Sequence, residues 1–152
     1  MKKIFRLLAA LFAFAIIFAV FTACTGAPCE CEPIDTEIDE TITVIIGEWR
    51  FEDFTTYSNT IGEVLDELAE IFWDFTFEYT SFGWGRQIDV LGDLSPGAGE
   101  FIAIYLTSTN LRYANPLQTR VVNGVEFRSS HYGADSLPVL GGVTYMFVVV
   151  AW

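Results

Sequence analysis

The sequence has no lysine after Lys3, no cysteine after Cys31, and a single histidine, His131. Each shortage excludes a chemistry. Schiff-base and Ser-Lys mechanisms need a lysine nucleophile or base, as do the Lys–Asn isopeptide crosslinks of some cell-surface domains. A two-histidine zinc centre cannot be assembled. Any domain beyond Cys31 has no disulfide and no cysteine nucleophile, so its hydrophobic core must stabilise it. No Gly-x-Ser-x-Gly elbow is present. Paired carboxylates of the glycosidase kind pass by residue type alone, but the chain is short for such a cleft. The expectation is a protein that is not an enzyme, with no metal site.

Positive charge is scarce as well. Lys2, Lys3 and Arg6 are three of the eight basic residues, and all 20 acidic residues follow Cys24. Without its first segment the chain keeps five arginines against 20 acids, a net charge of −15. Nucleic acid is bound by neutralising phosphates with basic side chains, so no nucleic-acid partner is expected. Anionic lipid headgroups would be repelled too.

Residues Leu7 to Phe21 form an uncharged apolar run behind those three cations. This is the layout of a secretory signal, and it is short for a membrane-spanning helix, which needs about 20 apolar residues. Phe21-Thr22-Ala23-Cys24 then resembles a lipobox. The expectation is a lipoprotein signal peptide over residues 1–23, with Cys24 carrying the lipid that anchors the protein to the membrane. An uncleaved N-terminal anchor, or a plain signal peptide with a free Cys24, remain the alternatives. All three place the rest of the chain outside the cytoplasm.

Residues 24–40 hold Pro28, Pro33 and six acids. A segment so acidic and so poor in apolar residues cannot bury enough surface to order itself, and reads as a disordered tether. Its Cys29 and Cys31 lack further ligands for zinc and read as linker cysteines. Its carboxylates lack the glycine-shaped loop of a calcium site.

The domain is expected over residues 41–152. Thr41–Ile46 and Trp49–Phe54 read as strands joined at Gly47-Glu48. Thr60-Ile61-Gly62-Glu63 fits a capping box. Ile61, Val64, Leu65, Leu68 and Phe72 behind it keep helical spacing. Strands follow at Phe75–Tyr79, Arg86–Leu91 and Phe101–Thr107, with a polar insertion at Ser108–Thr119. Asn123-Gly124 between β-rich arms favours a type I′ hairpin. The apolar stretch Val143–Trp152 reads as a central strand covered on both faces. The expected class is α+β: a β-grasp-like, mostly antiparallel sheet with one packed helix.

The run from Thr60-Ile61-Gly62-Glu63-Val64-Leu65 through Phe77-Glu78-Tyr79 to Phe82-Gly83-Trp84-Gly85-Arg86-Gln87-Ile88 and Gly92 resembles the transcobalamin-like C-terminal domains of bacterial surface proteins. Phe101-Ile102-Ala103-Ile104-Tyr105 stands where that family has an aromatic strand, and Gly141-Gly142-Val143-Thr144-Tyr145 where it has its closing motif. The resemblance implies a cobalamin-like ligand. In vertebrate relatives a second, helical domain completes the corrinoid pocket, and these 152 residues hold none. The residues expected at a ligand are Phe82, Trp84, Tyr105 and Tyr132; Trp84 has core cover over the sheet as its alternative. His131 is expected in a surface loop. Two functions follow as expectations. One is a lipid-anchored binding module for a small molecule, glycan or envelope protein, with an aromatic concavity near Trp84 and Tyr105. The other is an interaction protein that docks through a flat apolar patch or an open sheet edge.

Overall fold

A computed structural model describes residues 40–83 and 85–152. The expected signal peptide, lipid-bearing Cys24, tether cysteines and Trp84 lie outside the described residues. The elements are β1 (Glu40–Ile46), β2 (Trp49–Thr56), α1 (Ile61–Ile71), β3 (Phe77–Phe82), β4 (Gly85–Leu91), β5 (Glu100–Leu106), β6 (Ala114–Val122), β7 (Val125–Ser130), a 3₁₀ turn (Ala134–Ser136) and β8 (Thr144–Ala151). They form an open six-stranded sheet in the order β2-β1-β8-β5-β7-β6, with β3 and β4 as a separate two-stranded sheet. The β1–β8 pair is parallel and every other pair is antiparallel. One helix on a mixed sheet is compatible with the α+β class.

The helix begins as its sequence dictates. The Thr60 hydroxyl accepts from the Glu63 N–H and the Glu63 carboxylate accepts from the Thr60 N–H, so two free donors of the first turn are satisfied reciprocally. Another first-turn donor, Ile61 N–H, reaches the Leu137 carbonyl at 2.9 Å. Ile61, Val64, Leu65 and Leu68 are fully buried. They meet Ile42, Val44 and Ile46 of β1, Ile104 and Leu106 of β5, and Tyr145 and Phe147 of β8 in one core. The strand alternation is visible in the burial: Thr43 and Ile45, between those β1 residues, are only half-buried. At one end of the core Trp49, Phe51, Phe72 and Phe75 pack ring to ring, with centroids 5.0–6.0 Å apart. Gly92, at φ +58°, passes against them; a Cβ there would sit 3.0 Å from the Trp49 ring. Tyr145, also fully buried, donates its hydroxyl to the Pro138 carbonyl and accepts from the Leu140 N–H. Burial holds its pKa well above the usual tyrosine range, with the Leu140 N–H opposing.

Four expectations need correction. The first strand begins at Glu40, inside the segment read as tether, because Glu40 already pairs with Thr56. β3 starts at Phe77, since the Phe75 N–H closes a turn onto the Phe72 carbonyl and its ring belongs to the core. The polar stretch Ser108–Thr119 contributes most of its second half to β6, where a bulge between Asn115 and Thr119 accommodates Pro116. β8 is central, between β1 and β5, but the helix, the β3–β4 hairpin and the 3₁₀ turn all feed the core on one side of it. On its other face Met146 is buried while Val148 and Val150 are half-buried, so the cover there is partial. The Asn123-Gly124 turn is as expected, with φ +52° and +80°.

Leu65 fills the middle of the helix–sheet layer. Leu65→Ala should lower stability by about 2–5 kcal/mol through lost transfer energy plus a cavity, read as the urea midpoint at unchanged slope. A change below about 1 kcal/mol would mean that the helix does not carry the core.

Candidate functional site

The sheet is forked. β5 pairs with β8 along its whole length, from Glu100–Ala151 to Leu106–Tyr145. Its other edge meets β7 only at Tyr105–Ser129 and Leu106–Arg128. Past that point the chain leaving β7 turns away: the His131 N–H bonds to the Tyr113 carbonyl at 3.0 Å. A cleft of about 460 Å³ opens in the fork. β5 from Phe101 to Tyr105 borders it, Arg86 to Ile88 of β4 contribute another wall, and Ser129 to Ala134 with Gln118 line the far side. Phe101 and Trp152 stack beside it with ring centroids 4.5 Å apart. The Arg120 guanidinium stands 5.4 Å from the Tyr105 ring centroid.

The β4 wall is held by Arg86. Its Nη1 donates to both carboxylate oxygens of Asp66 on α1, at 2.7 and 2.8 Å. Its Nε and Nη2 both reach Oδ1 of Asp135 in the 3₁₀ turn at 2.7 Å, and its backbone N–H donates to Asp135 Oδ2 at 2.8 Å. The guanidinium also lies over Tyr79 and Phe77, 4.7 and 5.5 Å from their ring centroids. A planar fork of donors suits this arrangement, and a lysine could not reproduce it. Burial opposes the charge on Arg86, but the two carboxylates outweigh it and raise its pKa further. At Asp135 burial pushes the pKa up, while the hydrogen bonds and charge of Arg86 pull it down, and the net is below the ordinary value of 3.8. Gly62 lets this knot close. A Cβ there would collide with the Asp135 carboxylate and come within 2.6 Å of Arg86 Nη2.

Of the expected ligand residues, the fork brings together Tyr105 and Tyr132, both lining the cleft. Tyr132 is 39% exposed. Phe82, at the end of β3 opposite Gly85 and 46% exposed, is not among the lining residues. His131 is exposed, as expected of a surface loop. Sequence reasoning missed Arg86, Phe101 and Trp152. A lone arginine behind a glycine-rich turn in so acidic a chain was a usable signal for Arg86. No periodicity points to the other two, because only the fork makes them neighbours of the cleft. Among the described residues no three histidine, cysteine or carboxylate side chains converge in a way that could hold a metal ion.

No protein-family model matches the sequence, and no curated protein matches it. Among solved structures, the chain is similar to a "putative metal binding protein" from Ruminococcus gnavus, with 20% identity and a TM-score of 0.48 over 75% of this chain and 97% of that one.

The Asp135 knot makes a prediction about acid. A carboxyl whose folded pKa is depressed stabilises the fold above its unfolded pKa of about 3.8, and that stability is lost as pH falls through the lower folded value. Asp135→Asn should therefore be less stable than the parent at pH 7, with the gap narrowing below about pH 4. Urea midpoints at pH 7 and pH 3 read the difference; an equal gap at both would show that the Arg86–Asp135 charge pair contributes nothing.

Proposed function

We propose that this chain is a non-catalytic, lipid-anchored extracytoplasmic binding module of β-grasp-like fold, whose ligand sits in the cleft between β5 and β7. The β-grasp reading is supported by the central parallel pair of the first and last strands, with a hairpin at one edge and a single helix on one side. The observation that carries the binding reading is the cleft itself. Its volume, about 460 Å³, falls in the range of about 300–1,000 Å³ usual for small-ligand sites. Its lining has the usual character too: aromatic rings of Phe101, Tyr105, Tyr132 and Trp152 with a few polar groups, Gln87, Gln118 and Ser130 among them.

The resemblance to transcobalamin-like domains makes a corrinoid the first ligand to test. A corrin macrocycle with its side chains is larger than a drug-sized ligand, so this cleft would grip one edge and leave the rest to solvent or another protein. Membrane attachment is proposed through the lipid on Cys24, since an acidic surface gives no electrostatic hold on anionic headgroups.

Two measurements test this. Tryptophan fluorescence of the full chain in detergent, titrated with cobinamide and corrected for inner-filter absorption, should show saturable quenching. Tyr132→Ala, at a partly exposed position, should weaken it about tenfold, the size expected for one lost aromatic contact. Quenching that never saturates would remove corrinoids as the ligand. Cys24→Ala should abolish incorporation of labelled fatty acid and leave the precursor uncleaved; a variant that is still labelled would end the lipoprotein reading.

A further inference from the structure

We propose that the cleft takes an extended peptide, which adds to the free edge of β5 as one more strand; this rests on the reading of the chain as a binding module at this cleft. The argument begins with backbone groups. The Thr107 N–H donates to the Thr144 carbonyl and the Trp152 N–H to the Gly99 carbonyl. In an antiparallel ladder the groups of successive residues point to opposite edges. Residues 101, 103 and 105 therefore spend theirs on β8, and 102, 104 and 106 turn theirs toward the fork. β7 takes up that edge only at Tyr105 and Leu106. Ile102, half-buried, presents its N–H and C=O to the cleft with no strand among the described residues to meet them. Backbone groups removed from water need partners. A donor and an acceptor spaced along a strand match the main chain of another strand.

A second observation points the same way. Exposed sheet edges usually carry devices that discourage pairing, such as proline, bulges and charge. Both outer edges of this sheet have them. β6 carries Pro116 and the 115–119 bulge; β2 carries Arg50, Glu52 and a bulge at Asp53, whose φ is +49°. The inner edge of β5, Phe101-Ile102-Ala103-Ile104-Tyr105, has no proline, no charge and no bulge in its register with β8. Its access is limited instead by the walls of the cleft. A second copy of this chain is a poor occupant, because its own unguarded edge is recessed in the same way.

The chemistry of the occupant follows. The edge left by β7, from Phe101 to Ile104, is about 10 Å long at about 3.4 Å per residue, room for a short segment. Phe101 and Tyr105 flank one face of the added strand, and Ile102 and Ile104 the other, so apolar side chains are favoured on the bound segment. The described residues carry 15 acids and five arginines, so a neutral or basic peptide is favoured over an acidic one.

The probe is a fluorescent positional-scanning pool of heptapeptides with alternating apolar and polar residues and one basic end, added to the full chain in detergent. Saturable anisotropy is expected, together with slowed amide exchange in residues 100–106. N-methylation of the best heptapeptide at the residues facing β5 should weaken it about tenfold, while methylation of the alternate residues leaves it unchanged, as expected for loss of one or two hydrogen bonds. Ile102→Pro removes the outward N–H without breaking a bond to β8 and should weaken binding by a similar factor. Equal effects of the two methylation patterns would overturn strand addition. So would a pool that never slows exchange at 100–106 while Tyr132-dependent cobinamide quenching persists, which leaves the binding module standing. Failure of both ligands would remove the module reading along with this one.

Discussion

One guanidinium joins three parts of this molecule. Arg86 on β4 is bound to Asp66 on the helix and Asp135 in the 3₁₀ turn, and its flat face covers Tyr79 and Phe77. The β3–β4 hairpin belongs to a separate two-stranded sheet, so no ladder hydrogen bonds tie it to the six-stranded sheet. Phe77, Ile88 and Leu91 pack against the core, and the Arg86 ion pairs add a polar tie to the helix and the 3₁₀ turn. Loss of Arg86 would leave two carboxylates facing each other across a partly desolvated space, a repulsion in place of an attraction. The wall that Arg86 to Ile88 lend the cleft depends on the same atoms.

The knot also explains a residue that looks misplaced. Glycine inside a helix costs about 1 kcal/mol relative to alanine, yet Gly62 stands in the first turn of α1. Its missing side chain is the space into which Asp135 and Arg86 close. The helix gives up some intrinsic stability there and gains two carboxylate-bound anchors, one at its own Asp66 and one across the gap. The hydrogen bonds Ile61 N–H to Leu137 and Val139 N–H to Asn59 reinforce the same seam.

Much of the fold was legible because its signals are local. The capping box at Thr60 and Glu63, the helical spacing of Ile61 to Leu68, and the Asn123-Gly124 turn each depend on residues within a few positions of one another. The order of strands and helix followed from them. The buried face of β1 is written in its first half, where Thr41 and Thr43 alternate with the buried Ile42 and Val44, and is lost only at Ile45-Ile46, where both faces carry isoleucine. The start of β3 was misplaced because Phe75 is apolar in either role, and only a long-range ring cluster decides between them. Of the site, Tyr105 and Tyr132 were found through aromatic content and family resemblance. The fork that unites them was invisible, because it arises where a ladder stops, and pairing between residues 105 and 129 leaves no trace in either segment alone.

The parallel ladder of β1 and β8 has a further bearing on how such a chain is made. The two strands stand about 100 residues apart in sequence and side by side in the middle of the sheet. Until β8 has been delivered, Val44 and Ile46 lack their lateral neighbours, and the β1–β2 hairpin and the β5–β7 segment remain two half-sheets with no seam between them. Contacts of such long range close slowly and late. A chain wired in this way stays unfolded while its last strand is still inside a ribosome or a translocation channel. On the proposal that the chain is exported, that delay is useful, since a narrow channel passes extended polypeptide and rejects a closed sheet.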